Sequence, residues 1–267
     1  MNPALPQPFD VKLMNLTATV LFTAAAVVLL AAALWWLVRN PVFAIGSITV
    51  HGDVTHSNAV TLRANVAPRL AGNFFTISLQ ATREAFEAVP WVRQAVVRRE
   101  FPNRLRVVLR EHQAVAFWGG DGDVRLVNSF GEVFEANSGD VEQDNLPRLR
   151  GPDGQSMQVL QMYRAIRPLF EPLELAIEQL ALSAHGSWNA ELDSGALIEL
   201  GRGSEQEVVE RTRRFVQTLT QVTSRHNRRS DALVSADLRH GNGYAVRLRG
   251  VTTGAETAVK QDKRTNR

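Results

Sequence analysis

Val92-Arg93-Gln94-Ala95-Val96-Val97-Arg98-Arg99-Glu100-Phe101-Pro102-Asn103-Arg104-Leu105-Arg106-Val107-Val108-Leu109-Arg110-Glu111 reads as two strands joined by a turn. Phe101-Pro102-Asn103 has the chemistry of a tight connection, so residues 92–99 and 104–111 are expected to form an antiparallel hairpin. Leu105, Val107 and Leu109 point one way and Arg104, Arg106 and Arg110 the other, the pattern of a sheet with one buried and one wet face.

Upstream of the hairpin, residues 80–89 have a helical pattern closed by Pro90. A short apolar segment at Phe74, Phe75 and Ile77 follows the turn Gly72-Asn73, and a second helix is expected from Ser57 to about Leu70. Residues 45–50 read as a strand ending at Gly52. The order strand, helix, helix, strand, strand predicts a small α+β domain with both helices buried on one face of a three-stranded sheet.

Still nearer the amino terminus, residues 13–38 run for twenty-six positions without a charge. Roughly twenty apolar residues cross the hydrocarbon layer of a bilayer, so Leu16 to Val38 is expected to be a transmembrane helix. Trp35 and Trp36 suit the headgroup level at its end, and Arg39 and Pro41 mark the exit. A cleaved signal peptide would have an apolar region of about 7 to 15 residues and a small-residue cleavage site. This run is longer and ends Leu-Trp-Trp-Leu-Val, which favours an uncleaved anchor. Charges beside the span are nearly balanced, with Lys12 before it and Arg39 after it, so they do not set its orientation.

Downstream, the pattern changes to short strands with frequent turns, expected at 115–118, 124–127, 133–134, 175–182, 188–192, 196–200, 233–238 and 244–248. Residues 155–170 look helical until Pro168 and Pro172 interrupt them. The clearest helix begins at Ser204, where Glu207 completes a capping box, and continues with an apolar stripe of Val208, Thr212, Phe215, Leu219 and Val222. Gly241-Asn242-Gly243 reads as the last hairpin turn. The expected organisation is an N-terminal segment at 1–15, the span at 16–38, the α+β domain at 43–112, a β-rich domain with two helices at 113–250, and a polar, disordered tail at 251–267.

Sites of chemistry are hard to find. The six histidines have no metal-ligand spacing on a helix, HExxH is absent, and there is no Gly-x-Ser-x-Gly elbow. Asp121 and Asp123 lie in a glycine-rich turn, and Leu200-Gly201-Arg202-Gly203-Ser204 lacks the lysine of a phosphate-binding loop. His51 and His56 are expected to be solvated loop residues. The net charge of +3 is partly concentrated in the tail, and the arginines of the hairpin are not interleaved with aromatic residues that could stack bases. No enzyme, cofactor, metal or nucleic-acid site is expected. A membrane-tethered hydrolase would require a nucleophile and a base that this sequence does not present.

The run Val89-Pro90-Trp91-Val92, Arg98-Arg99 before the aromatic-Pro turn, and Glu111 closing the hairpin resembles the FtsQ/DivIB family of bacterial cell-division proteins. Leu200-Gly201-Arg202-Gly203 and Asp237-Leu238-Arg239 are similar to the motifs of its β domain. The resemblance implies a POTRA domain followed by a β domain, in a bitopic inner-membrane protein with periplasmic C-terminal domains that scaffolds the divisome without catalysis. It also implies that the last strand pairs with a strand of FtsB, itself coiled with FtsL, in a subcomplex that regulates septal peptidoglycan synthesis. The partner-binding residues would be Arg239, His240, Asn242, Gly243, Tyr244, Val246, Arg247 and Leu248. Arg239 would meet an acidic group of the partner or form an internal salt bridge with Asp237 or a helix carboxylate. His240 stands where many relatives carry Tyr, which weakens an aromatic contact and opens it to pH. Gly186 stands where some relatives place Arg. Trp91 would be a core residue, and Glu111 either a recruitment contact or an exposed end-of-strand charge. The alternative function is that of another POTRA-bearing envelope protein acting in protein assembly or secretion.

Overall fold

The structure is a computed structural model that describes residues 9–120, 122, 125–136, 146–241 and 243–251. The chain divides into two compact units, Met1–Glu111 and His112–Arg267.

The first unit opens with helix α1, Phe9–Val38, whose thirty residues bury nothing against the rest of the protein. It is long and apolar enough to cross a membrane. The helix begins seven positions before Leu16, so residues 9–15, expected to precede the span, are helical as well. Leu16, Trp35 and Trp36 are exposed on its surface. It stops at Val38, where Asn40 caps a short turn at Pro41–Phe43 by accepting the Val42 N–H. Pro41 cannot continue the α1 hydrogen-bond ladder, which explains the sharp stop.

Strand β1, Ser47–Gly52, is followed by α2, Ala59–Val66, and α3, Leu79–Glu87. Asn58 and Ser78 are their N-caps, each accepting a backbone N–H three residues on. The hairpin pairs β2, Val92–Glu100, with β3, Arg104–Glu111, and β1 joins the outer side of β3 in parallel, giving the order β1-β3-β2. Leu105, Val107 and Leu109 are fully buried and alternate with exposed Arg104, Arg106, Val108 and Arg110. Val107 and Leu109 meet Leu62 and Val66 of α2 and Ala85 and Phe86 of α3 in one core, so both helices cover the same sheet face. Burial of each such side chain contributes about 1.5–3 kcal/mol.

Among the described residues, the second unit is built on a nine-stranded sheet in the order β12-β11-β10-β9-β8-β7-β4-β5-β6. Its strands are β4 (Ala114–Trp118), β5 (Arg125–Asn128), β6 (Val133–Glu135), β7 (Arg148–Arg150), β8 (Ile177–Leu182), β9 (Trp188–Leu192), β10 (Leu197–Gly201), β11 (Leu233–Asp237) and β12 (Ala245–Leu248). Helices α4, Ser156–Phe170, and α5, Glu205–Arg225, pack on each other and on the sheet. Phe170, Phe215, Leu180, Ile198 and Trp188 form the centre of that core.

One strand lies outside the expectation: β7 has no counterpart in the sequence reading. α4 occupies the expected range, with Pro168 inside it, and ends at Phe170. β8, β9 and β10 follow one another as antiparallel neighbours, and α5 then carries the chain across to place β11 parallel to β10. A helical crossover of this length permits parallel pairing, which no tight turn can.

Candidate functional site

β12 is the terminal strand of the sheet and, among the described residues, pairs on one side only, with β11. Leu248 lies opposite Leu233, Val246 opposite Ala236 and Ala245 opposite Asp237. In an antiparallel pair alternate residues direct N–H and C=O groups toward the neighbouring strand, so the remaining groups of β12 point outward. This exposed backbone row is an open edge that a partner strand could use, and β6, paired only with β5 among the described residues, ends the sheet on its other side.

The side chains of β12 alternate in role. Leu248 is buried, and Val246 packs against the core. Tyr244, immediately before the strand, sets its ring edge-on to Phe215 of α5, with centroids 5.1 Å apart, and its hydroxyl is 2.6 Å from Thr218 Oγ1. These three residues therefore attach the edge strand to the domain. Ala245 and Arg247 face solvent.

At the end of β11, Asp237 and Arg239 form a fork. Arg239 Nε and Nη2 donate to the Asp237 carboxylate at 2.9 and 2.6 Å, and the Arg239 backbone N–H donates to it at 3.0 Å. The bidentate hydrogen bonds from the Arg239 side chain, reinforced by its backbone N–H and its positive charge, hold the Asp237 carboxyl far below the usual carboxylate range. The same bonds push the Arg239 guanidinium upward. The internal bridge to Asp237 expected for Arg239 is formed. The guanidinium nevertheless stays 58% exposed, whereas Asp237 is 25% exposed, so the cation presents the charged face of the pair. His240 is 71% exposed, with Nε2 4.0 Å from Asp237.

The Leu200-Gly201-Arg202-Gly203 loop lies under this fork. A Cβ on Gly201, whose φ is +82°, would come within 2.9 Å of Arg239 Cγ and 2.8 Å of Arg211 Nη1. Arg211 in turn donates to the carbonyls of Leu200 and Arg202, and Ser204 and Glu207 close the helix entrance as a reciprocal capping box. The loop is thus a structural seat for Arg239. Its hydrogen-bonding groups are engaged in a helix start, and the contribution of Arg211 was not visible from spacing.

Gly243 is exposed with open space around its α-carbon, whereas Asn242, Asp121, Asp123 and residues 252–267 lie outside the described residues. Among the described residues no group of three or more His, Asp or Glu is placed to hold a metal.

Two readings from the first domain are corrected. Glu111 is neither an exposed charge nor an accessible contact: its side chain is nearly buried and accepts the N–H groups of His56 at 3.0 Å and Ser57 at 2.8 Å. Burial alone would push its carboxyl up, but these hydrogen bonds outweigh that and hold it below the ordinary value. His56 is not a freely solvated loop residue, because its ring stacks on buried Trp91 at 3.9 Å and Nδ1 lies 3.2 Å from Glu111.

An apolar helix of membrane length, a β-α-α-β-β domain and a β-rich domain whose sheet ends, among the described residues, in the one-sided strands β12 and β6 define a POTRA-bearing scaffold. A family model described as POTRA domain, FtsQ-type, matches residues 43–112, and one described as Cell division protein FtsQ/DivIB, C-terminal, matches residues 116–239. The chain is 40% identical to the cell division protein FtsQ of Burkholderia pseudomallei over 243 residues, covering 91% of this chain and 94% of that one. It is 39% identical to that of Thiomonas arsenitoxydans, over 91% and 89% of the two chains, and 34% identical to that of Bordetella pertussis, over 90% and 92%. The chain belongs to the FtsQ/DivIB family of cell-division proteins, non-catalytic scaffolds of the divisome. β12 lies beyond the last residue matched by the C-terminal model.

Proposed function

We propose that this divisome scaffold crosses the inner membrane once through residues 16–38, with residues 1–15 in the cytoplasm and the domains at 43–112 and 113–250 in the periplasm at the division septum. The domains perform no chemistry. The edge of β12 receives a strand of FtsB, which is paired with FtsL, and so links this subcomplex to the septum where peptidoglycan synthesis is regulated. The one-sided pairing of β12 at the end of a nine-stranded sheet carries the reading. An added strand takes affinity from main-chain bonds and specificity from alternate side chains.

The contact set is Arg239, His240, Asn242, Gly243, Tyr244, Val246, Arg247 and Leu248, with different duties. Tyr244, Val246 and Leu248 hold the strand in place and offer mainly backbone, whereas Arg247, Arg239 and His240 present side chains to the partner. Calorimetry of the full chain in lipid nanodiscs against a periplasmic FtsB/FtsL fragment tests this. Wild type should bind, and Arg247→Glu should lose at least about tenfold in affinity, since reversing a charge across an interface costs on the order of 1.4 kcal/mol or more. Unchanged affinity in that variant would remove the edge-strand site.

A further inference from the structure

The base of the first domain carries an exposed aromatic chain that leads directly away from the end of α1. Asn73 Nδ2 donates to the carbonyl of Val38, the last residue of α1, and the Phe74 N–H donates to the Phe43 carbonyl at 2.9 Å. These bonds fix the 72–77 loop beside the helix end. Phe43 meets Phe75 edge-on at 5.0 Å, Phe75 meets Phe74 at 5.3 Å, and Phe74 meets Phe101 at the hairpin tip at 6.4 Å. Arg99 braces the loop from the sheet side, donating to the carbonyls of Phe74 and Ile77 at 2.7 Å.

Only Phe74 of this chain of rings is buried. Val42 is 76%, Phe75 47% and Phe101 81% exposed. Single exposed apolar residues are ordinary, but here Phe75 and Phe101 are joined through Phe74 by ring contacts, Val42 precedes Phe43 of the same chain of rings, and the loop is held by hydrogen bonds to the end of a membrane-length helix. Trp35 and Trp36 place that end at headgroup level, and the Arg39 guanidinium lies 4.4 Å from the Trp35 ring centroid. No acidic residue occurs in 39–52 or 70–83, so the segments that carry Val42, Phe43 and Phe75 present no charge that would repel anionic headgroups. Glu100, beside Phe101, is paired with Arg106 at 2.7 Å.

We propose that Val42, Phe75 and Phe101 form a membrane-docking foot, entering the boundary between headgroups and acyl chains of the phospholipid bilayer that α1 crosses. The occupant is phospholipid, because the patch is continuous with the span and Asn73 ties its loop to the Val38 carbonyl. The foot restrains the first domain against the bilayer surface instead of leaving it on a free tether. It rests on α1 being a membrane span.

The chain has no cysteine, so single labels can be placed without background. Full-length Phe75→Cys and Phe101→Cys, each carrying an environment-sensitive fluorophore, are reconstituted in phosphatidylethanolamine and phosphatidylglycerol vesicles. Quenching by lipids with a nitroxide near the headgroup, and by others with a nitroxide deep in the acyl chains, is measured beside labels at Val27→Cys in the span and at Val60→Cys on an exposed surface of α2. The expected result is a blue shift at Phe75 and Phe101 with strong quenching by the shallow nitroxide, quenching of Val27 by the deep one, and none at Val60. Unquenched, water-like emission at 75 and 101 beside a quenched Val27 label overturns the foot and leaves the span intact. An unquenched Val27 label overturns both. Burial of the two labels only after the FtsB/FtsL fragment is added assigns the patch to a protein partner and overturns lipid docking. To exclude attraction by the label itself, hydrogen exchange of unlabelled protein is compared with Phe75→Ser/Phe101→Ser. Vesicle-dependent protection of the 72–77 amides should be lost in the double variant while β3 stays protected, and protection that persists would equally overturn the proposal.

Discussion

Glu111 closes the first domain by reaching across fifty-five positions of sequence to the loop before α2. Its two acceptor oxygens satisfy the amides of His56 and Ser57, and His56 is held further by stacking on Trp91. Replacing it with Gln removes the charge and one acceptor, which should cost about 1–3 kcal/mol at neutral pH by leaving a buried donor poorly paired. Because the folded carboxyl lies below its ordinary value, its contribution is complete above the carboxylate range of the unfolded chain. It is lost as pH falls through the lowered folded value. Hydrogen exchange of the His56 and Ser57 amides in wild type and Glu111→Gln should therefore differ at pH 7 and converge in strong acid. None of this was legible in the sequence, where Glu111 is simply the last residue of an alternating strand. Asp237 and Arg239 were easier to connect because they are two residues apart in chain and in space.

At the scale of elements, the alternating hairpin and the capping box at Ser204 were legible because each is a local pattern with one dominant physical cause. Leu105, Val107 and Leu109 had to share a face, and Ser204 with Glu207 had to start a helix. β7 was not legible: it has three residues and a single buried position, Leu149, so it offers no alternation to count. The parallel placement of β11 beside β10 was equally hidden, because neighbouring short strands suggest hairpins until the crossover helix is known to return the chain. The same crossover brings Arg211 of α5 and Arg239 together around Gly201. Gly201→Ala would put a β-carbon in the left-handed region and against both side chains, costing roughly 1–2 kcal/mol from backbone conformation alone. Thermal unfolding should show that loss. Partner binding should weaken as well if the fork at Arg239 is part of the interface, whereas Ser204→Ala should cost about 0.5–2 kcal/mol in stability with little change in affinity.

Across the whole molecule, the sequence carried the fold class and the order of its parts, while the position of the open edge depended on a nine-strand order that no local pattern contains. The last described strand is at once a structural lid and the candidate docking row: Leu248 and Val246 finish the core, and Tyr244 ties the edge to α5. These duties predict two different truncations. Removing residues 244–267 strips β12 from β11, exposes Leu233 and Ala236, and deprives Phe215 of its aromatic neighbour. Each buried aliphatic side chain contributes about 1.5–3 kcal/mol, so this deletion should lower the stability of the second domain by several kcal/mol and abolish binding of the FtsB/FtsL fragment. Removing only residues 260–267, a polar run with four basic side chains, leaves β12 in place and should preserve both unfolding temperature and affinity. Calorimetry and thermal unfolding of the two truncated chains separate these cases. If the shorter deletion also lost the partner, the principal recognition determinant would lie in the basic tail, and the edge strand would be reduced to its part in the core.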